Sequence, residues 1–133
     1  MNIEIKPEST ISIFQQIIDG IRFAILTGKM NKDDKLPSWR DLAVELRVNP
    51  NTVAKAYQEL EREGILYVKR GEGTFVAEWD KPSMEIERQR ILEEALRQAI
   101  STGQRLQFSD QDLKKQFEEK LKQATNHKET KNE

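Results

Sequence analysis

Apolar residues recur along this chain at two periods, and the switch between them outlines the fold. From Ser12, Phe14, Ile17, Ile18, Ile21, Ala24 and Ile25 follow at helical spacing. Ser12 suits an N-cap with Gln15 three residues on, and Gly28 is a good residue to close the helix. Asn31 to Asp34 reads as a turn and Lys35-Leu36-Pro37 as a short extended stretch, since Pro37 disfavours helix at Leu36. Ser38 then starts a short helix, SWRDLAVEL, with Asp41 placed for a capping box and Leu42, Ala43 and Leu46 as its buried stripe. Arg47-Val48 breaks it. Asn49 is a strong N-cap and Pro50 suits the first helical position, so a further helix is expected from about Pro50 to Glu63, closed by Gly64. Val53, Ala56, Tyr57 and Leu60 share one face, which leaves Asn51, Thr52, Lys55, Gln58 and Glu59 for the other.

Beyond Gly64 the pattern becomes β-prone. ILYVK and TFVAE flank the glycine-bearing connection R-G-E-G and read as a hairpin over residues 65–78. The order is helix, extended stretch, helix, tight turn, helix, hairpin. The expected fold class is therefore mainly α with a small β-hairpin, a winged helix-turn-helix domain over residues 1–78. Residues 79–83, with Pro82, read as a linker. A two-helix region is expected over 84–125: a first helix over 84–101, apolar at Ile86, Ile91, Leu92, Ala95, Leu96, Ala99 and Ile100, ended by Thr102-Gly103. A second, capped by Ser109 with Asp112, repeats Leu113, Phe117, Leu121 and Ala124. From about Thr125 the chain is expected to fray, leaving a disordered tail over 126–133. So short a region cannot bury both stripes by itself, so its apolar sides are expected to pack on the first domain, on a second copy of the chain, or both.

Composition then closes off chemistry. The 133 residues contain no cysteine and one histidine, His127, in the polar tail. A disulfide framework, a thiolate metal site, a cysteine nucleophile and a Ser-His-Asp arrangement are all excluded. No enzyme is expected, and neither a cofactor nor a metal. The amino terminus has neither a basic run nor an apolar stretch of signal-peptide length, so a cytoplasmic location without a membrane partner is expected. Lys and Arg number 22 against 23 Asp and Glu, which is awkward for a nucleic-acid binder because phosphates are neutralised by cations. Residues 1–80 hold 11 of those cations and 13 of the acids. The expected footprint is thus a narrow basic strip on an acidic domain, with weak non-specific affinity and few phosphate contacts.

Two helices joined by a tight turn place the second across a major groove, with its first residues at base edges. Asn51, Thr52 and Lys55 occupy the exposed first turns of that helix. Asn suits adenine, Thr a phosphate or a thymine methyl, and Lys guanine or phosphate. Each also has a bland reading, as a helix-start residue or a solvated lysine. Arg40 lies in the first turn of the preceding helix, where the dipole does not favour a cation, and serves either as a clamp on DNA or in a surface salt bridge with Asp41 or Glu45. Lys69 and Arg70 stand at the hairpin tip with Gly71 and Gly73, where a wing can reach phosphate or the minor groove. Ser38 and Asn49, which cap the two helices, join this DNA-facing set. Trp39 and Trp79 read as packing residues, and the Leu113-Phe117-Leu121 stripe as a dimer seam or an intrachain core.

The runs DKLPSWRDLA at 34–43, VNPNTVAKAYQELEREG at 48–64 and RGEGTFV at 70–76 resemble the amino-terminal winged-helix domain of the GntR family of bacterial transcription regulators. The N-P-N-T-V-x-K-A-Y form and the short two-helix tail are most similar to the YtrA-type subfamily. That resemblance implies a homodimeric repressor of double-stranded DNA, binding an inverted-repeat (palindromic) operator, often at an ABC-transporter operon. It also implies dimerisation through the carboxy-terminal helices, at Leu92, Leu96, Ala99, Leu113, Phe117 and Leu121. Arg40 matches the family's DNA-contacting arginine after L-P-S-x, Thr52 its early recognition-helix hydroxyl, and Gly71, Gly73 and Thr74 its wing. Many members carry arginines where this chain has Pro50 and Ala54, so Asn51 and Lys55 are expected to take a larger share. A small-molecule effector could bind at the dimer interface or between domains, but no polar cluster in residues 84–124 singles out a pocket. A competing reading is a winged-helix module for protein interaction; apolar or acidic residues in place of Arg40, Asn51 and Lys55 would mark it, and the chain does not have them.

Overall fold

The computed structural model describes residues 2–131, and the chain divides into two compact units with the boundary between Arg88 and Gln89. The first unit holds α1 (Ile13–Leu26), α2 (Trp39–Leu46), α3 (Pro50–Arg62), β1 (Leu66–Lys69) and β2 (Gly73–Val76). Each helix starts where a side chain supplies the acceptor that the first turn lacks. Ser12 Oγ accepts from the Gln15 amide at 3.1 Å, Ser38 Oγ from the Asp41 amide at 3.0 Å and Asn49 Oδ1 from the Asn51 amide at 2.8 Å. Between α2 and α3 the turn is made by Arg47, whose φ is +58°.

Helices α1 and α2 both pack on α3. The core they form is Ile17, Ile18, Ile21 and Ile25 from α1, Leu42 and Ala43 from α2, and Val53, Ala56, Tyr57 and Leu60 from α3. Leu36, Ile65, Leu66 and Val76 close it, with Trp39 and Trp79 packed at its margin. The expected apolar faces are thus the buried ones, and both tryptophans pack.

Strands β1 and β2 form an antiparallel hairpin in the register Leu66↔Val76 to Lys69↔Gly73. The extended stretch before Pro37 joins it as a third, shorter edge. Asp33 N donates to Val76 O, Val76 N to Asp34 O and Leu36 N to Thr74 O, at 2.8–2.9 Å, and Lys35 pairs with Phe75. The wing is therefore tied directly to the chain that enters α2, which fixes hairpin and helix-turn-helix in one frame.

Helix α4 (Lys81–Arg105) crosses the unit boundary, and α5 (Asp110–Lys131) completes the second unit. Three boundaries differ from those expected. α4 starts inside the stretch read as a linker, because Asp80 caps it: its carboxylate accepts from the Ser83 amide at 3.0 Å and the Ser83 hydroxyl at 2.7 Å. Pro82 then sits in the first turn, where it lacks nothing that the helix needs.

At its other end α4 runs through Thr102-Gly103 to Arg105, and the chain turns instead at Gln107, whose φ is +65°. Gly103 is buried within the hairpin because the Leu113 side chain lies across it: a Cβ there would overlap Leu113 Cδ2. Helix α5 passes the expected fraying point near Thr125, since neither Gly nor Pro interrupts the sequence as far as Lys131. Residues 132 and 133 of the expected tail lie outside the described residues. Ser109 and Asp112 form the expected reciprocal cap, each side chain accepting from the other's amide at 3.1–3.2 Å. Among the described residues, no helix is long and apolar enough to cross a membrane.

Candidate nucleic-acid interface

Helix α3 buries one face and presents the other. Asn51, Lys55 and Gln58, spaced by four and three, are exposed along one stripe, while Thr52 beside them is half-buried. Asn49 is exposed, but its side-chain oxygen is occupied in capping α3. Ser38 likewise spends its oxygen as an acceptor on α2, which leaves its hydroxyl proton to donate. Both residues thus set the helix starts first; what they add to a ligand is secondary.

Arg40 is exposed, and its guanidinium carbon lies 4.0 Å from the centroid of the Trp39 ring. A flat cation held on an aromatic face is restrained without being neutralised. At the wing, Lys69 lies with its ammonium 5.5 Å from the Phe75 ring, and Phe75 stacks on Tyr67 at 5.6 Å. The Tyr67 hydroxyl donates to Asp33 Oδ1 at 2.6 Å, and this bond raises its pKa above the usual phenol value, with burial and the Asp33 charge adding to it. One face of the wing is therefore a braced ladder from Asp33 to Lys69, with Arg70 and Gly71 exposed at the tip.

Between the start of α2 and the wing runs an open groove of about 660 Å³, lined by Lys35–Trp39, Asp41, Val68, Lys69 and Gly71–Thr74. Gly71, Gly73 and Thr74, expected in the site as wing residues, all border it. Pattern reading missed Lys35, which reaches the groove only because its strand pairs with β2; that pairing has no local signature. It also missed the hydroxyl of Tyr57. This buried side chain donates to the Pro37 carbonyl at 2.8 Å, tying α3 to the turn that delivers Ser38 and Arg40.

The acids of α3 are partly neutralised within the domain. Glu59 pairs with Arg62, whose hydrogen bond holds its carboxyl below the usual range. Glu63 pairs with Arg22 of α1 at 2.8 Å. Glu61, exposed between them, is thus the acid at this end of the helix that is left without an ion pair among the described residues. Among the described residues no group of acids and histidine could hold a metal ion.

The second unit has a different character. Leu92, Leu96, Ile100, Phe117 and Leu121 are between 39% and 57% exposed, and Ala99 is exposed with them. Leu113 is half-buried and spends its side chain within the hairpin, on Gly103. An apolar hollow of about 330 Å³ is lined by Leu96, Ala99, Ile100, Leu113, Lys114 and Phe117.

Comparison with known proteins gives this architecture a context. Residues 13–76 match the model of the bacterial regulatory proteins, gntR family. The chain is 45% identical over 98 residues to the HTH-type transcriptional repressor YtrA of Bacillus subtilis strain 168, an alignment spanning 74% of this chain and 75% of that protein. A GntR family transcriptional regulator from Listeria monocytogenes is similar in structure, with a TM-score of 0.70 and 33% identity over 84% of this chain and 97% of that one. AraR(DBD), solved in complex with operator ORX1, is similar at a TM-score of 0.50 and 33% identity, over 55% of this chain and 90% of that one.

Proposed function

The chain belongs to the GntR family of bacterial regulatory proteins, as a transcription regulator with a helix-turn-helix DNA-binding domain, and from that premise we propose that it is a homodimeric repressor of an inverted-repeat operator. The observation that carries this reading is the exposed stripe of Asn51 and Lys55 on α3, together with the exposed cations Arg40 near the start of α2 and Lys69 and Arg70 on the wing. Asn51 and Lys55 read base edges in the major groove, the half-buried Thr52 supports them, and Arg40, Lys69 and Arg70 meet phosphates. Ser38, Asn49, Gly71, Gly73 and Thr74 shape the backbone that holds these cations in register. The regulated operon, by likeness to the YtrA-type subfamily, is one for an ABC transporter.

The surface of the second unit supports dimerisation through it. A two-helix hairpin with this much apolar area in water is a poor monomer. With about half of each large side chain still exposed, covering it contributes about 0.7–1.5 kcal/mol before the cost of association. Leu92, Leu96, Ala99, Phe117 and Leu121 are the proposed seam, with Leu113 setting the hairpin behind it. Two copies then present two α3 helices to successive major grooves, about one helical turn apart.

The test uses a duplex selected by the native protein from a random library. Lys55→Ala weakens binding and relaxes preference at one base position, a change of about 1–3 kcal/mol, whereas Arg70→Ala weakens it uniformly and flattens the salt slope by about 0.9 per lost phosphate contact. Titrations at fixed salt in which neither substitution moves the affinity would sink the docking.

A further inference from the structure

We propose that Lys35 is a DNA-binding residue of the wing groove, its ammonium supplying the charge that admits a backbone phosphate between α2 and the hairpin. The proposal rests on the DNA-binding reading above and adds to it a residue outside the helix-turn-helix and outside the wing tip.

The geometry comes from the extra edge on β2. Lys35 pairs with Phe75, and the Leu36 amide is bonded to Thr74 O at 2.9 Å, so the Lys35 side chain is delivered beside Gly73. There its stem runs directly over the glycine: a Cβ on Gly73 would lie 2.9 Å from Lys35 Cε and 3.7 Å from Nζ. Gly73 also has a φ of +128°, a conformation open to glycine and strained for other residues. The second glycine of R-G-E-G is therefore required by the turn, and it leaves open the space that the end of the lysine side chain occupies. A long, flexible side chain held along its stem loses less freedom when its head meets an anion.

Charge explains what the head does there. The ionisable residues lining the groove are Lys35, Lys69, Asp41 and Glu72. With Lys35 the four sum to zero; without it the groove is net negative and repels a phosphate. Lys69 is already drawn over the Phe75 ring, and Lys35 makes no ion pair among the described residues. Its ammonium is thus a second cation of the groove beside Lys69, free to meet an anion. Ser38, which still has a hydroxyl proton to give, lines the same space.

Three variants of the full chain test this on the selected duplex: Lys35→Met, which keeps the stem over Gly73 and removes the charge, Lys35→Arg, which keeps the charge, and Arg70→Ala as a control on the docking itself. Lys35→Met is expected to melt like the native protein, to bind roughly 5- to 10-fold more weakly near physiological salt, and to lower the magnitude of the salt slope by about 0.9 per protomer. Lys35→Arg is expected to keep the native slope. If Arg70→Ala weakens binding while Lys35→Met leaves affinity and slope unchanged, the role of Lys35 is refuted and the docking stands. The same holds if Lys35→Arg loses as much slope as Lys35→Met. If neither Lys35→Met nor Arg70→Ala has an effect, the DNA-binding reading falls and the proposal with it.

Discussion

Replacing Tyr57 by Phe removes one oxygen from the joint between α3 and the turn that carries Ser38 and Arg40. Tyr57 is 5% exposed, and its ring packs in the core, so the substitution keeps the packing and deletes only the 2.8 Å hydrogen bond to the Pro37 carbonyl. Burial, and then the nearby Glu45 charge, push the phenol well above its ordinary pKa. The hydroxyl therefore stays protonated, and a donor, over the whole range in which the protein is handled. A typical buried hydrogen bond contributes about 1 kcal/mol net, and a carbonyl left dry without its donor costs up to about 3 kcal/mol. An expected loss of about 1–2 kcal/mol lowers the melting temperature of a domain this size by roughly 4–16 °C. Both tryptophans pack at the margin of the first unit's core, so urea unfolding followed by their fluorescence reports on that unit. The midpoint should fall with the slope unchanged, and Arg40, freed from its frame, should bind the selected duplex more weakly. A native midpoint in Tyr57→Phe would show that the bond does not hold α3 to the turn before α2.

Two further substitutions or conditions test other parts of the molecule. Gly103→Ala places a methyl on Leu113; overpacking of this kind costs about 1–3 kcal/mol, and the α4–α5 hairpin should open with loss of the dimer in sedimentation, while the first unit keeps its native fluorescence. A dimer of native stability would show that this crossing is not what presents the seam. The Asp80 carboxyl is held below its ordinary value of 3.8, first by the Ser83 hydroxyl and then by the Ser83 amide. Because the folded value is the lower one, this cap stabilises above the unfolded value and is lost as pH falls through the folded value. Protection of the Ser83 amide, its exchange rate relative to the intrinsic rate at the same pH, should therefore fall on acidification below about pH 4, and protection insensitive to that window would contradict the cap.

What could be read in the sequence was what has a local cause. The helix starts at Ser12, Ser38, Asn49 and Ser109 are signalled by one capping side chain each, and the buried faces of α1 and α3 by their period. The α3 stripe of Asn51 and Lys55 follows from the same period, so the centre of the proposed site was visible too. What was hidden depends on pairs distant in sequence. Lys35 reaches the groove because Phe75 is its strand partner, and Gln16 holds the amino-terminal arm by donating to the carbonyls of Lys6 and Ile11 at 3.1 and 2.8 Å. Gly103 looked like a helix end because glycine commonly is one, whereas it is a crossing point for Leu113. Net charge hides placement in the same way: Glu59 and Glu63 are each held by an arginine of their own domain, pairs that cancel in the sum and leave it unchanged.

Specific recognition of DNA by a dimer is decided by one titration. The native protein is added, at a single near-physiological salt concentration, to a selected inverted-repeat duplex and to a scrambled duplex of the same composition, with stoichiometry read alongside affinity. Two protomers are expected per selected duplex, with a preference over the scrambled one of roughly 10³-fold or more. Equal affinity for the two duplexes, or one protomer bound per selected duplex, would contradict such recognition.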